Sequence, residues 1–147
     1  MKKYRAKAKY SDRLVIGYPG FDTNDPDKCL IKTVDNEFIE IDSSTLAMDT
    51  GYTDKNGDMI FIGDEIKFYY IDTICVNPDC DIFLHMYQPI CRKYTGLVEY
   101  EDGAIKVNDI PLAWIGLNAE EIEENKDYID FDYTVEELIG IEIIKES

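Results

Sequence analysis

The chain is short of cations and nearly without histidine. Lysine and arginine together number 15 against 31 aspartates and glutamates, and His85 is the only histidine, so the formal charge is −16 over 147 residues. So acidic a surface repels nucleic acid and anionic membranes, and direct binding to either is not expected. No apolar run approaches the ~18 residues of a membrane span. The basic N-terminus has no apolar stretch behind it, so no secretory signal is read. The expected location is the cytoplasm, where the four cysteines are expected to stay thiols. Any Ser–His–Asp or Cys–His nucleophilic site has to use His85. There is no phosphate-binding glycine loop, no dinucleotide fingerprint and no basic–aromatic stripe for single strands. Repeats, low-complexity linkers and an internal domain boundary are missing too, so one domain is expected over residues 1–147.

Hydrophobic residues make up 45% of the chain and aromatics 12%, enough for a globular fold with a real core. The charge is uneven: residues 1–13 carry six Lys/Arg and one Asp, while residues 118–147 carry eleven Asp/Glu and two Lys. Two arrangements fit. A basic N-terminal strand lies near the acidic C-terminal segment in one fold, or the acids form a face that binds a basic partner.

The densest pattern is Thr50–Phe68. Asn56-Gly57 is the strongest short hairpin signal and predicts a type I′ turn with both residues at positive φ, flanked by Lys55 and Asp58. Met59–Ile62 is the return arm. Gly63-Asp64 interrupts it as a bulge or corner, and Glu65, Ile66, Lys67, Phe68 then alternate strictly. Two short strands about a glycine corner are how small barrels turn between walls. Asp54, Asn56, Asp58 and Glu65 also fall at positions 1, 3, 5 and 12 of an EF-hand loop. Met59 occupies its obligatory glycine position and a strand pattern follows, so the hairpin is the better reading.

This stretch resembles the signature of the YopX family of bacteriophage and prophage proteins, carried here by Thr50-Gly51, Asp54-Lys55-Asn56-Gly57, Ile60, Phe61, Gly63-Asp64 and Ile66. Weaker matches are Tyr4-Arg5-Ala6 at the family's opening strand, Ile41–Thr45 at an acidic turn, and Ile141–Ile144 at its closing strand. The family's usual Gly-Asn after that strand is replaced by Lys145-Glu146-Ser147. The resemblance implies a mostly β, barrel-like fold and brings no settled activity.

Elsewhere, strands are expected at Tyr4–Tyr10, Leu14–Tyr18 (ended by Pro19-Gly20), Cys29–Val34 and Glu37–Ile41, with Thr23–Lys28 as a surface loop whose aspartates either cap turns or hold a cation. Ser43–Met48 suits one helical turn capped by Asp42 or Ser43. Residues 72–92 suggest a long hairpin arm turning at Asn77-Pro78-Asp79, with Pro89 marking an edge. Glu101-Asp102-Gly103 is a tight turn between Tyr94–Tyr100 and Ala104–Asn108. Ile110–Ile115 continues as a strand with Trp114 in the core. Asn118 with Glu121, and Thr134 with Glu137, have capping-box spacing and start short helices, and Ile139–Ile144 closes the chain as a strand. The expected fold class is mostly β: a small barrel or pseudo-barrel of antiparallel strands with one or two short helices.

Candidate chemistry is sparse. Cys75, Cys80, His85 and Cys91 have spacing Cys-x4-Cys-x4-His-x5-Cys, a loose relative of a zinc knuckle without its Cys-x2-Cys turn; Cys75 and Cys91 sit among apolar residues, where core thiols are common. The core reading is preferred, and no cofactor or metal is expected. Asp64 stands out at the glycine corner, where the favoured role is bonding backbone amides. Thr50, Gly51, Asp54, Asn56, Gly57, Ile60 and Gly63 are expected to serve the fold, as are Gly103 and Trp114. Nothing pairs a nucleophile with a base, so no catalytic residue is assigned. The expectation is an interaction module whose acidic face, Glu120, Glu121, Glu124 and Asp127, binds a host or phage protein; one version is a DNA mimic. The alternatives are a small enzyme with a carboxylate or metal centre and a self-assembling protein that uses the arm at 72–92 between copies.

Overall fold

A computed structural model describes residues 2–22, 24–75 and 87–145. The fold is mostly β, with antiparallel ladders throughout and two short α-helices. In chain order the strands are β1 (Tyr4–Lys7), β2 (Leu14–Asp22), β3 (Asp25–Lys32), β4 (Phe38–Glu40), β5 (Ala47–Thr53), β6 (Met59–Phe61), β7 (Glu65–Cys75), β8 (Tyr87–Leu97), β9 (Glu99–Glu101), β10 (Ala104–Val107), β11 (Ile110–Pro111) and β12 (Ile141–Ile143). The helices are α1 (Ala119–Glu124) and α2 (Val135–Leu138).

The first six strands form one sheet in the order β4-β3-β2-β1-β5-β6. It curls until the end of β4 meets the end of β1: Ala8 bridges Ile41, Lys9 N–H donates to Glu40 C=O at 2.9 Å, and Asp42 N–H donates to Lys7 C=O at 2.9 Å. One bridge in place of a ladder makes a pseudo-barrel. Ala6, Val15, Ile31 and Ile41 fill it. Each comes from a different part of the sheet: Ala6 from β1, Val15 from β2, Ile31 from β3 and Ile41 from just past β4. At Gly17 the walls come so close that a Cβ would lie 2.1 Å from the Lys32 carbonyl oxygen.

The second half adds two three-stranded sheets, β12-β7-β8 and β11-β10-β9. Their shared core is Ile60, Ile66, Phe68, Val98, Val107, Leu112, Ile115 and Ile141. The strict alternation read from Glu65 onward is thus a burial pattern. A third cluster, Cys91, Leu117, Ile122, Ile129 and Leu138, packs the two helices against Tyr69 and Ile71 of β7. Pro89 lies in β8, an edge strand of its sheet, opposite Thr73. The β7–β8 ladder runs from Glu65↔Leu97 to Cys75↔Tyr87; the turn expected at Asn77-Pro78-Asp79 lies outside the described residues.

Several sequence expectations need correction. β1 ends at Lys7, short of Tyr10. β2 does not stop at Pro19-Gly20 but runs to Asp22. Pro19 lies past the last β1 pair, Tyr4↔Gly17, so its missing N–H costs no bond to β1. The loop read at Thr23–Lys28 contains the start of β3 at Asp25. There the ladder extends beyond the core, and polar composition reports exposure, not loop. The Asn56-Gly57 turn is not type I′. Gly57 has φ 85° and Asn56 is not among the positive-φ residues. Gly57 N–H bonds Asp54 C=O at 3.0 Å, and Asp54 N–H bonds Asp58 C=O at 2.8 Å. This is a type I turn plus a glycine bulge, one residue longer than expected. Type I′ pairs occur instead at Asp102-Gly103 (φ 51° and 83°) and at Asn108-Asp109 (φ 49° and 65°), the second unanticipated. The strand expected over Ile110–Ile115 ends at Pro111 and becomes a 3-10 turn. Leu112 and Ile115 take the core positions, and Trp114 is 69% exposed.

Candidate functional site

The signature residues meet around the β6–β7 corner. Thr50 is buried; its hydroxyl donates to Ile60 C=O at 2.7 Å and accepts from Tyr52 N–H at 3.1 Å. Beside it, Gly51 at φ 84° lets β5 bulge. Asp54 is also buried, and one carboxylate oxygen accepts from Asn56 N–H at 2.9 Å and Asp58 N–H at 2.8 Å. Gly63, at φ 95°, occupies the third position of a turn closed by Asp64 N–H to Phe61 C=O at 3.0 Å, where a type II turn needs glycine. Asp64, only 8% exposed, then uses both carboxylate oxygens. Oδ2 accepts from Phe61 N–H at 2.8 Å, and Oδ1 accepts from the Arg5 guanidinium at 2.6 Å. The Arg5 guanidinium also lies over the Phe61 ring, 4.5 Å from its centroid. Arg5 was not singled out from sequence; its signal was the aromatic-Arg-Ala opening of β1.

Beside this corner a cavity of about 790 Å³ opens between β1, β2, β6 and the chain after β12. Leu14, Ile16, Met59, Phe61, Ile143 and Ile144 give it apolar walls, with Arg5, Lys7, Lys145, Asp58 and Asp64 among the charged residues lining it. Both carboxylates are paired, Asp64 with Arg5 and Asp58 with Lys145 at 3.4 Å. The Thr45 hydroxyl in its lining accepts from Lys7 N–H and donates to Asp42 C=O. Arg5, Asp58, Asp64, Thr45 and Lys145 are thus engaged in turns and ion pairs, and among the described residues no nucleophile there is bonded to a base.

The acidic candidates lie on a cap made by α1, α2 and the 3-10 turn Lys126–Tyr128. Asn118 and Glu121 form a full capping box at the start of α1, and the Thr134 hydroxyl caps α2. Ile122, Ile129 and Leu138 anchor the cap. Glu120, Glu123, Glu124, Asp127, Asp130, Asp132, Glu136 and Glu137 are all exposed. Glu121 differs: its carboxylate accepts from Asn118 N–H, so it is committed to the helix start. Lys126, the cap's own cation, is 2.9 Å from Glu123, whose carboxylate raises its pKa by hydrogen bond and charge. Among the described residues no ion pair links the basic N-terminal segment to the cap. The segment's ion pairs run from Arg5 to Asp64, Lys9 to Glu40 and Arg13 to Glu37.

Of the zinc quartet, the described pair Cys75 and Cys91 is not brought together. Cys91 stands opposite Ile71, four ladder positions from Cys75. At about 3.4 Å per residue their backbones are roughly 14 Å apart, further than two cysteines that share one zinc at about 2.3 Å from each sulfur. Cys91 is buried among Leu117, Ile122 and Leu138, and burial pushes its thiol pKa up, with help from Asp130. Cys80 and His85 lie outside the described residues. Among the described residues no three His, Cys, Asp or Glu side chains form a metal-holding group, and no helix is long and apolar enough to cross a membrane.

One polar pair on the β7–β8 hairpin was missed. The Tyr94 hydroxyl donates to Asp72 at 2.6 Å. That bond lowers the Asp72 pKa and raises that of Tyr94. Comparison of the chain with protein-family models, curated proteins and solved structures finds no match.

Proposed function

We propose that this chain is a non-enzymatic interaction module that binds a basic host or phage protein through its acidic cap. The observation that carries the reading is the rigid display of exposed carboxylates around Glu120, Glu124 and Asp127, with the local lysine already committed to Glu123. Capping bonds and three buried aliphatic side chains fix the cap, so binding need not order it first. In its finer form the reading is a DNA mimic, whose carboxylates occupy a nucleic-acid site as phosphates would. The −16 charge supports this, since it favours fast association with basic surfaces and disfavours nucleic acid itself. The resemblance of Thr50–Phe68 to the YopX signature supports a phage or prophage setting, and with it action in the bacterial cytoplasm.

The test compares the wild-type chain with a Glu120→Gln/Glu124→Gln/Asp127→Asn variant, both immobilised and exposed to bacterial lysate. Glu121 is left in place because it caps α1. The expected outcome is retention of basic, nucleic-acid-handling proteins by the wild type and their loss from the variant. Identical captures, or captures without such proteins, refute the reading.

A further inference from the structure

We infer that the free edge of β9 at Tyr100 is a second docking site, which takes an extended, basic–apolar segment of a partner protein. Asp102 and Gly103 form a two-residue turn, and Glu101↔Ala104 is the ladder pair beside it. In such a hairpin that pair exchanges both bonds, so the next residue, Tyr100, turns its N–H and C=O away from β10. Two residues earlier the same outward edge is in use. Val98 N–H donates to Asp64 C=O at 2.9 Å, and Gly63 N–H donates to Val98 C=O at 2.8 Å. The Gly63-Asp64 corner therefore acts as a one-pair neighbour to the strand and then leaves, since Ile62 N–H bonds Met48 C=O instead. The next place along that edge, at Tyr100, has no backbone partner among the described residues.

The surface around this opening is apolar. A hollow of about 480 Å³ includes Ile62, Leu97 and Tyr100. A second, of about 540 Å³, includes Tyr4, Leu46, Met48, Ile62 and Tyr100. The two share Ile62 and Tyr100, so together they flank the free edge. Tyr100 is 57% exposed and Leu97 53%, unusual for residues beside a core. An added strand bonds the Tyr100 peptide and drops alternate side chains into the hollows, the mode of strand addition.

Charge selects the occupant. Glu99 and Glu101 flank Tyr100, both exposed, and the rim of the second hollow adds Lys2. Lys106 faces Glu99 across the ladder, whereas Glu101 faces Ala104. A second copy is disfavoured: pairing two β9 edges about Tyr100 sets Glu99 of one against Glu101 of the other, and directly opposed like charges destabilise. A lysine- or arginine-bearing strand gains where a second copy loses. None of these residues belongs to the acidic cap, so this site stands or falls apart from it.

The experiment is fluorescence anisotropy with a labelled heptapeptide alternating lysine and leucine, against the same peptide with glutamate for lysine. Saturable binding of the basic peptide alone is expected. Tyr100→Pro removes the outward N–H, which β10 does not use, together with the ring that lines both hollows, and should weaken binding about tenfold. Leu97→Ser should do the same through the apolar hollow, and it decides the matter if the proline variant fails to fold. The Glu120→Gln/Glu124→Gln/Asp127→Asn variant should bind within twofold of wild type. Loss in that variant with no effect of Tyr100→Pro or Leu97→Ser places the peptide on the cap and overturns the edge site. Absence of saturable binding, or equal binding of the acidic peptide, also overturns it.

Discussion

Replacing Asp64 with alanine tests whether the signature acid holds the fold or serves a ligand. The substitution strips the acceptor from Phe61 N–H, which is buried at the corner, and the partner from Arg5. A buried N–H left without an acceptor costs about 1–3 kcal/mol. Losing the ion pair costs less than the 3–5 kcal/mol of a fully buried one, because Arg5 is 26% exposed and water can reach it. A total near 3 kcal/mol follows, or about 6–12 °C in Tm for a chain of this size. Asp64→Asn keeps an acceptor for Phe61 but loses the charge-assisted bond, so about 1–2 kcal/mol is expected. Urea unfolding at neutral pH, followed by circular dichroism, measures both. A double-mutant cycle with Arg5→Ala should give a coupling of about 1–2 kcal/mol. If Asp64→Ala costs under about 0.5 kcal/mol and the cycle is additive, the corner does not depend on this carboxylate and the structural account of Asp64 is wrong.

Gly57→Ala should cost about 1–2 kcal/mol, because Gly57 holds φ 85°, whereas Asn56→Ala should change stability by under about 0.5 kcal/mol. Equal costs in urea unfolding would restore the type I′ turn. Tyr94→Phe should flatten the pH–stability profile at both ends. Asp72 has a lowered folded pKa, so its contribution is present above its unfolded value and lost as pH falls through the folded one. Tyr94 has a raised folded pKa, so its contribution is present below its unfolded value and lost as pH rises through the folded one. Stability curves of wild type and variant that stay parallel throughout would show that the bond does not couple to titration. In native protein a thiol reagent should modify exposed Cys29 quickly and buried Cys91 only on unfolding, as mass mapping of the labelled peptides would show. Fast modification of Cys91 would contradict its place beneath the cap.

The strands with a buried face could be read from sequence because alternation and burial are the same fact: Ile66 and Phe68 face the core while Glu65 is exposed. Caps were also legible, since Asn118 with Glu121 and Asp42 before Ser43 need only local spacing. Misreadings arose where position outweighed composition. Asp27 and Lys28 read as loop because their side chains are exposed, yet they lie within β3. Trp114 reads as core by residue type, but the 3-10 turn at Leu112–Trp114 gives the buried places to Leu112 and Ile115. Long-range pairs had no local signal: Arg5 and Asp64 are 59 residues apart, and the Asp72–Tyr94 bond depends on the β7–β8 register.

The signature itself explains why it is silent about activity. Thr50, Asp54 and Asp64 direct their side chains at backbone groups within the corner, or at Arg5, which lies against it. Gly51, Gly57 and Gly63 supply the positive φ that the bulge and turns require. Such a pattern specifies a path for the chain. The exposed carboxylates around Glu120 and the open edge at Tyr100 lie outside it. On the proposed reading, substitutions on these two surfaces change binding, whereas substitutions at the corner change stability. Stability and binding measured on the same variants should then separate into two groups of residues, with Asp64 and Gly57 in the first and Glu124, Leu97 and Tyr100 in the second.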